Sequence, residues 1–322
     1  MNIGIIGGAG YTGGELLRIL IHHPQANISF ILSKSNAGKP VHHVHTDLLG
    51  DTDLVFNSDI SEANMSELDV IFLCSGHGES KKFLTENPAF NSLKIIDLST
   101  DFRDQSNGFV YGLPELQRDV IKKANHIANP GCFATSIQLA LLPLAANGLL
   151  KEDVHVSAVT GSTGAGQSLS ASSHFSWRSN NMSIYKAFTH QHLAEIRQSL
   201  VSLQPNFAQN INFIPYRGSF TRGIIANVYT PFAGTLAEAQ AIFRKQYASH
   251  PFTHVSEAAL DVKQVVNTNK CLLHLEVHEG NLLITSTIDN LTKGASGQAV
   301  QNMNLIFGLE ESTGLKLKSV GF

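Results

Sequence analysis

Residues 2–20 read NIGIIGGAGYTGGELLRIL: a short apolar run of strand character, a glycine-rich turn, then a run of helix character. Gly8, Gly10 and Gly13 make G-x-G-x-x-G between that strand and that helix, the setting in which the pattern carries meaning. Glycines let the backbone turn sharply and approach a pyrophosphate, whose charge then faces the free N–H groups of the helix start. These three, with Tyr11 and Thr12 inside the loop, are therefore expected to bind a dinucleotide. The competing explanation is a turn that merely lets helix pack on sheet.

Further along, ISFIL, DLVF, DVIFLC, KIIDLS and HIAN are read as strands, with TGGELLRILIHH as a helix stopped by Pro24. Continuous apolar strands alternating with helices imply a parallel sheet covered on both faces, a doubly wound α/β domain. The second strand, ISFIL, bears on the cofactor. Where an NAD-preferring protein often carries an acid for the ribose 2′-hydroxyl, this chain has Ser33, Lys34, Ser35 and Lys39, which suit a 2′-phosphate and so NADP. Ser75, after DVIFLC, is counted with the expected cofactor contacts.

Past residue 132 the pattern changes. CLLHLEVHEGNLLITSTIDNL reads as two alternating strands joined by a turn at Glu279-Gly280-Asn281, a hairpin rather than a crossover. With VHVSAVTG, INFIPY and GIIANVY as further strands and HQHLAEIRQSL and TLAEAQAIFRKQYA as helices, a second α+β domain with a mixed, largely antiparallel sheet is expected. The final segment, GASGQAVQNMNLIFGL, opens with small residues that permit close packing, and is expected to return to the first domain. SASSHFSWRSNNMSIY, residues 170–185, reads as a surface loop, with a lid over a site as the alternative.

The net charge of −3 over 322 residues and the lack of a Lys/Arg cluster argue against nucleic acid or an anionic membrane as a partner. No run reaches the roughly 18 apolar residues of a membrane span, and no basic leader precedes the first strand, so a cytoplasmic location is expected. Cys74, Cys132 and Cys271 are odd in number and far apart, which suits neither a disulfide framework nor a metal site.

Cys132 stands apart. In NPGC, Asn129 is a candidate N-cap and Pro130 a natural first helical residue, leaving Cys132 in the first turn of CFATSIQLALLPLAANG. The positive end of a helix dipole stabilises a thiolate, so Cys132 is read as a nucleophile against the alternative of a buried, inert thiol. A nucleophilic cysteine needs a proton carrier. FTHQHLAEI offers His190 and His192 at a helix start, with Glu195 within reach to orient an imidazole, and spacing does not choose between the two histidines. No cluster completes a zinc set, so no metal is expected. For anions, Arg103 follows the strand KIIDLS. The amides of GSTGAGQ, with Ser162 and Gly164, follow another strand, and Arg217 and Arg222 lie in RGSFTRGI.

Taken together, GGAGYTGGELLRIL, DLSTDFR, YGLPEL, NPGCFATS, GSTGAG, HQHLAEI, TRGIIA and KGASGQAVQNMN resemble, in order and over nearly the whole chain, the N-acetyl-gamma-glutamyl-phosphate reductase family, related to aspartate-semialdehyde dehydrogenase. The resemblance implies a Rossmann-type NADP-binding domain over 1–131 with 297–322, and a catalytic and dimerisation domain over 132–296. It implies Cys132 as nucleophile and a histidine of HQH as acid/base, for which we choose His190 with His192 and Glu195 in support. Arg103, Asn129, Ser162 and Arg222 are the expected substrate contacts and Gly164 a cofactor contact. An N-acyl-glutamyl phosphate substrate, a role in arginine biosynthesis and a homo-oligomer, dimer or tetramer, follow from the same resemblance.

The mechanism this implies is attack of the Cys132 thiolate on the acyl phosphate, with helix-start amides holding the oxyanion, then reduction of the thioester. Two positions depart from the family pattern, both removing a positive charge: Gln167 after the Gly-Ala-Gly turn and Gln191 between the histidines. The alternatives are the same chemistry on another N-acyl-glutamyl, aminoadipyl or aspartyl phosphate, a nucleotide sensor, or a Cys-His hydrolase. A sensor has no use for the cysteine–histidine pair, nor a hydrolase for the glycine loop.

Overall fold

The structure, a computed structural model, describes residues 1–321. Its contacts divide the chain into two compact units, one of Met1–Pro130 with Ala295–Lys316, the other of Gly131–Gly294 with the residues from Leu317 on.

The first unit runs β1 (Asn2–Ile6), α1 (Tyr11–Leu20), β2 (Asn27–Leu32), β3 (Val70–Leu73), α2 (Glu79–Glu86), β4 (Lys94–Asp97), β5 (Val110–Tyr111), α3 (Pro114–Ile121) and β6 (His126–Ala128). All strand pairs are parallel, in the order β2-β1-β3-β4-β6-β5. Strand order reverses between β1 and β3, the point at which such sheets bind ligands. β3 is buried along its whole length, as a central strand covered on both faces must be.

Two elements differ from expectation. DLVF forms no strand: Val55 makes a single bridge to Pro40, flanked by backbone bonds of Leu54 and Phe56 to residues 38–41, and the next residue, Asn57, bridges Leu32. Asn57 ends the pairing by using backbone and side chain together, its N–H donating to Ile31 O and its Oδ1 accepting from Ile31 N. Helix α1 stops at Leu20, before Pro24, because a tight turn brings His23 N to Leu20 O and His23 turns inward to Asn304 at 3.0 Å.

That asparagine belongs to the closing helix, Gly297–Ile306, which follows a π-helical turn over Thr292–Ser296, is buried throughout and packs on α1 and α3. Asn302 Nδ2 donates to Gly112 O at 2.8 Å, and a Cβ on Gly112 would lie 2.5 Å from the same amide, so only glycine fits there.

The second unit begins at α4 (Cys132–Ala146). It continues through β7 (Val154–Thr160), α5 (Phe175–Arg178), β8 (Ser183–Ile184), α6 (His192–Leu203), β9 (Ile211–Arg217) and β10 (Ile224–Pro231). The remaining elements are α7 (Leu236–Tyr247), β11 (Thr253–Ser256), β12 (Cys271–His278) and β13 (Asn281–Ile288). The sheet is mixed, in the order β11-β12-β13-β10-β7-β9-β8, with β11/β12 and β7/β9 its parallel pairs. β12 and β13 form the expected hairpin through Glu279 and Gly280, both with positive φ, the geometry whose twist matches paired strands. Residues 170–185 hold α5 and β8, the edge strand.

Helix α4 is mostly apolar and buried from Phe133 to Ala145, packed between the sheet and helices α6 and α7. Pro143 has no N–H to give to Leu139 O one turn back. The Tyr247 hydroxyl donates to that carbonyl instead, at 2.6 Å.

Candidate active site

In the first unit the glycine loop joins β1 to α1. Gly7 has φ +85°, and a Cβ on Gly13 would lie 2.7 Å from Gly7 O, so helix and strand approach as closely as backbone allows. Beside Gly10, by contrast, nothing lies within 3.8 Å of where a Cβ would sit. Helix α1 carries neither a side-chain cap nor an acid in its first turn. The loop therefore presents an uncapped helix start beside open space, which fits an anionic ligand.

His45, which sequence reasoning did not assign, braces this loop. Its Nε2 lies 2.8 Å from Gly8 O, and burial pushes its pKa down. Ser296 Oγ, at the start of the closing helix, donates to Thr12 O at 2.8 Å. Tyr11 is exposed, Ser75 half-buried, and Ser33 buried with Asn36 at its hydroxyl, while Lys34 and Lys39 lie exposed beside it.

Two expected substrate contacts also bond within the chain. Asn129 is 1% exposed; its Nδ2 donates to Ala295 O at 3.0 Å and its Oδ1 accepts from Asn302 Nδ2 at 3.1 Å, so both ends of its amide tie in the closing segment. Nor is it the N-cap, which is Gly131, with Cys132 the first helical residue. Arg103 is buried, donating from Nε to Asn129 O at 2.9 Å and from Nη2 to Leu98 O at 3.2 Å. That edge of the guanidinium joins β4 to β6 rather than forming a fork open to phosphate.

In the second unit the three cysteines separate by environment. Cys74, which belongs to the first unit, is pushed up to about 12 by burial and by the neighbouring Asp97 charge. Cys271 is buried against Ser286 Oγ. Only Cys132 retains exposure, at the positive end of α4, with no acid in that helix's first turn. Its setting is fixed from two sides. Glu195 Oε2 accepts from Gly131 N at 3.1 Å, and a Cβ on Gly294 would lie 2.8 Å from the Cys132 Cβ. The Gly131 amide is thus engaged by Glu195.

His190 and His192 lie together, ring centroids 4.5 Å apart, and Phe133, the residue after Cys132, stands edge-on to both. Burial, then the Lys186 and Arg217 charges, bring His190 down to about 4, so it is neutral at physiological pH. The His192 N–H donates to His190 Nδ1 at 3.2 Å, which places the proton of the neutral ring on Nε2. His192 Nε2 lies 3.8 Å from Glu195 Oε1. Glu195 thus holds the cysteine turn and stands beside the second histidine rather than the first.

Sequence reasoning missed Tyr185, whose ring is 5.7 Å from that of His190 and whose hydroxyl accepts from Arg217. It also missed Asp289, fully buried, which ion-pairs with Arg222 at 2.9 Å and whose carbonyl accepts from Gly294 N. Neither lies in a recognisable motif. Of the GSTGAGQ amides, expected to receive an anion or the nicotinamide end of the cofactor, those of Gly161, Ser162 and Thr163 donate to carbonyls of Gly223, Phe220 and Thr221, and that of Gly164 to Gly161 O, so these four are engaged within the chain. Ser162 is half-buried and Gly164 exposed. Among the described residues no group of three or more His, Cys, Asp or Glu is placed to hold a metal ion.

A parallel sheet with a glycine loop, followed by a mixed-sheet unit that opens on a partly exposed cysteine, goes with membership of the semialdehyde dehydrogenase class. Residues 2–124 match the family model "Semialdehyde dehydrogenase, NAD binding domain", and residues 132–290 match "Semialdehyde dehydrogenase, dimerisation domain". Among solved structures, aspartate semialdehyde dehydrogenase II of Vibrio cholerae aligns with TM-score 0.73 at 17% identity, over 95% of this chain and 98% of that one. The Candida albicans aspartate semialdehyde dehydrogenase with NADP gives 0.69 at 14%, over 95% and 98%. At those identities the likeness is one of fold.

Curated relatives are much closer. N-acetyl-gamma-glutamyl-phosphate reductase of Christiangramia forsetii is 59% identical over 98% of both chains, and that of Flavobacterium johnsoniae 56% over the whole of both. The chain belongs to the N-acetyl-gamma-glutamyl-phosphate reductase family. No helix among the described residues is long and apolar enough to cross a membrane.

Proposed function

We propose that this chain is an NADPH-dependent N-acetyl-gamma-glutamyl-phosphate reductase, making N-acetylglutamate 5-semialdehyde for arginine biosynthesis in the cytoplasm, as a homo-oligomer. The observation that carries the proposal is Cys132, the one partly exposed cysteine, placed first in a buried helix whose next residue, Phe133, stands edge-on to His190, and near enough to Tyr185 for their charges to interact. Full-length relatives of this activity and a matched dimerisation domain support it.

The Cys132 sulfur attacks the acyl-phosphate carbon, forming a C–S bond as the C–O bond to phosphate breaks and phosphate leaves. A thioester keeps the carbonyl while its thiolate waits to depart, so the carbon can be reduced before the C–S bond breaks and the aldehyde is released. NADPH, when bound, supplies the hydride. The residues to hold it are the glycine loop with Tyr11 and Thr12, with Ser33 and Lys34 or Lys39 near the 2′-phosphate.

His190 donates its Nε2–H to the oxygen that becomes negative on attack and again on reduction, a role open to a neutral imidazole. To carry a proton, its Nδ1 must first release the His192 amide. Glu195 keeps the turn before Cys132 fixed, so the thiol stays at the helix start.

Purified protein should reduce NADP in the presence of N-acetylglutamate semialdehyde and phosphate. Cys132→Ser should abolish that reduction while NADPH binding, followed by fluorescence, persists. Full turnover by the variant would refute the mechanism.

A further inference from the structure

Every arginine that ends in an ion pair in this chain has its acid: Arg18 meets Asp47, Arg118 Glu311, Arg222 Asp289 and Arg244 Glu257. Around His190 the pattern fails. Lys186 and Arg217 bear on His190, Arg178 lies against Arg217, and among the described residues none of the three pairs with a carboxylate. Arg178 is buried and gives its donors to carbonyls, Nη1 to Arg217 O at 2.8 Å and Nη2 to Ser172 O at 3.2 Å, which tie down the end of β9 without neutralising it. Lys186 Nζ donates to Gln191 Oε1 at 2.8 Å, restoring beside the histidines a positive charge that Gln191 lacks.

Arg217 is the member with donors to offer. It is half-buried, its guanidinium carbon lies 4.6 Å from the Tyr185 ring centroid, and it donates to the Tyr185 hydroxyl. Stacking on a ring and one hydrogen bond fix the guanidinium plane and leave most of its N–H groups unused by the chain. A braced, uncompensated guanidinium beside a nucleophile's histidine has the chemistry of an anion receptor.

We infer that Arg217, braced by Tyr185, receives an anionic oxygen pair of the substrate at the Cys132–His190 site and so sets which anions the enzyme accepts. The inference rests on the reductase reading above. Three anions share this chemistry: the transferred phosphate, the α-carboxylate, and a carboxylate on the N-acyl group where one is present. Because Arg217 ends β9, ahead of the TRGI motif that carries Arg222, its role is separate from that of the Asp289-bound arginine.

The test uses full-length Arg217→Ala, Arg217→Lys and Tyr185→Phe in the oxidative direction. Phosphate is varied against N-acetylglutamate semialdehyde, its α-amide, and a semialdehyde whose N-acyl group ends in a carboxylate. We expect Arg217→Ala to raise KM for one anion by about 10- to 100-fold, the loss of one charge-assisted contact, with kcat changed less than about threefold. Arg217→Lys should recover part of that loss, and Tyr185→Phe should show a smaller effect on the same KM.

A rise for phosphate alone assigns the phosphate. A rise abolished in the α-amide assigns the α-carboxylate, and one confined to the carboxylated acyl group assigns that group. Unchanged KM values for all of them overturn the inference, as does a fall in kcat accompanied only by a shifted pH profile for Cys132 alkylation by iodoacetamide, which would make Arg217 a partner of the thiolate. Calorimetric binding needs no turnover: an inactive wild type that binds N-acetylglutamate, inorganic phosphate or the carboxylated N-acyl analogue through Arg217 would sink the reductase reading and not this one, and binding of all three unaffected by Arg217→Ala would sink this one alone.

Discussion

His190 is held neutral by its surroundings, and that has a measurable sign. Its folded pKa, about 4, lies below its ordinary value of 6.5, so between those values the unfolded chain binds the extra proton. Its contribution is therefore favourable above pH 6.5 and declines as pH falls towards 4. Imidazole resonances followed by NMR should show His190 titrating near pH 4 in the free protein; titration near 6.5 would remove the basis for a neutral donor. Gly294 allows an independent test. A methyl group there would press on the Cys132 Cβ, which sits on a helix and has little room to move. Gly294→Ala should therefore cut the alkylation rate of Cys132 and turnover at least tenfold while NADPH binding is kept.

Elements show why some of these residues were legible in the sequence and others were not. Cys132 and the glycine loop lie where a strand or turn enters a helix, and a few consecutive residues determine that geometry, so their setting is written locally. Asn129 also sits in a motif, yet its partners Ala295 and Asn302 are far along the chain, and motif position alone made it look like a cap and a ligand. Tyr185 directly follows β8 and Arg217 ends β9, two strands whose pairing no short pattern announces. DLVF has strand composition, but the side chain of Asn57 ends its pairing at a single bridge. Helix α4 carries a prediction of its own: Tyr247→Phe removes the donor that stands in for the missing amide of Pro143. Leaving Leu139 O short of that buried partner should cost about 1–3 kcal/mol in urea unfolding, with the midpoint lowered and the slope unchanged.

For the molecule as a whole, a ligand that binds only the folded first unit must stabilise it by mass action. NADPH at about 100 times its dissociation constant should add about 2.7 kcal/mol and raise the melting temperature measured by calorimetry. The same experiment with NADH at equal concentration reads the choice of cofactor, and a larger shift with NADH would count against Ser33 and its neighbouring lysines as the 2′-phosphate site. Size-exclusion chromatography with light scattering reads the homo-oligomer, and a strictly monomeric active enzyme would remove that part of the proposal.

The closing helix also imposes an order on biosynthesis. A ribosome makes the glycine loop before the second unit, yet the helix that packs on α1 and α3 and supplies Asn302 and Asn304 emerges only after that unit. The nascent first unit must wait, with one flank of its sheet bare, while nearly the whole second unit is synthesised. In a translating cell, pulse proteolysis of stalled chains should find the 131–294 segment resistant before residues 1–130 become so. A premature stop just after Gly294 should leave the dinucleotide half open to chaperones and proteases even though every glycine of its loop is already in place.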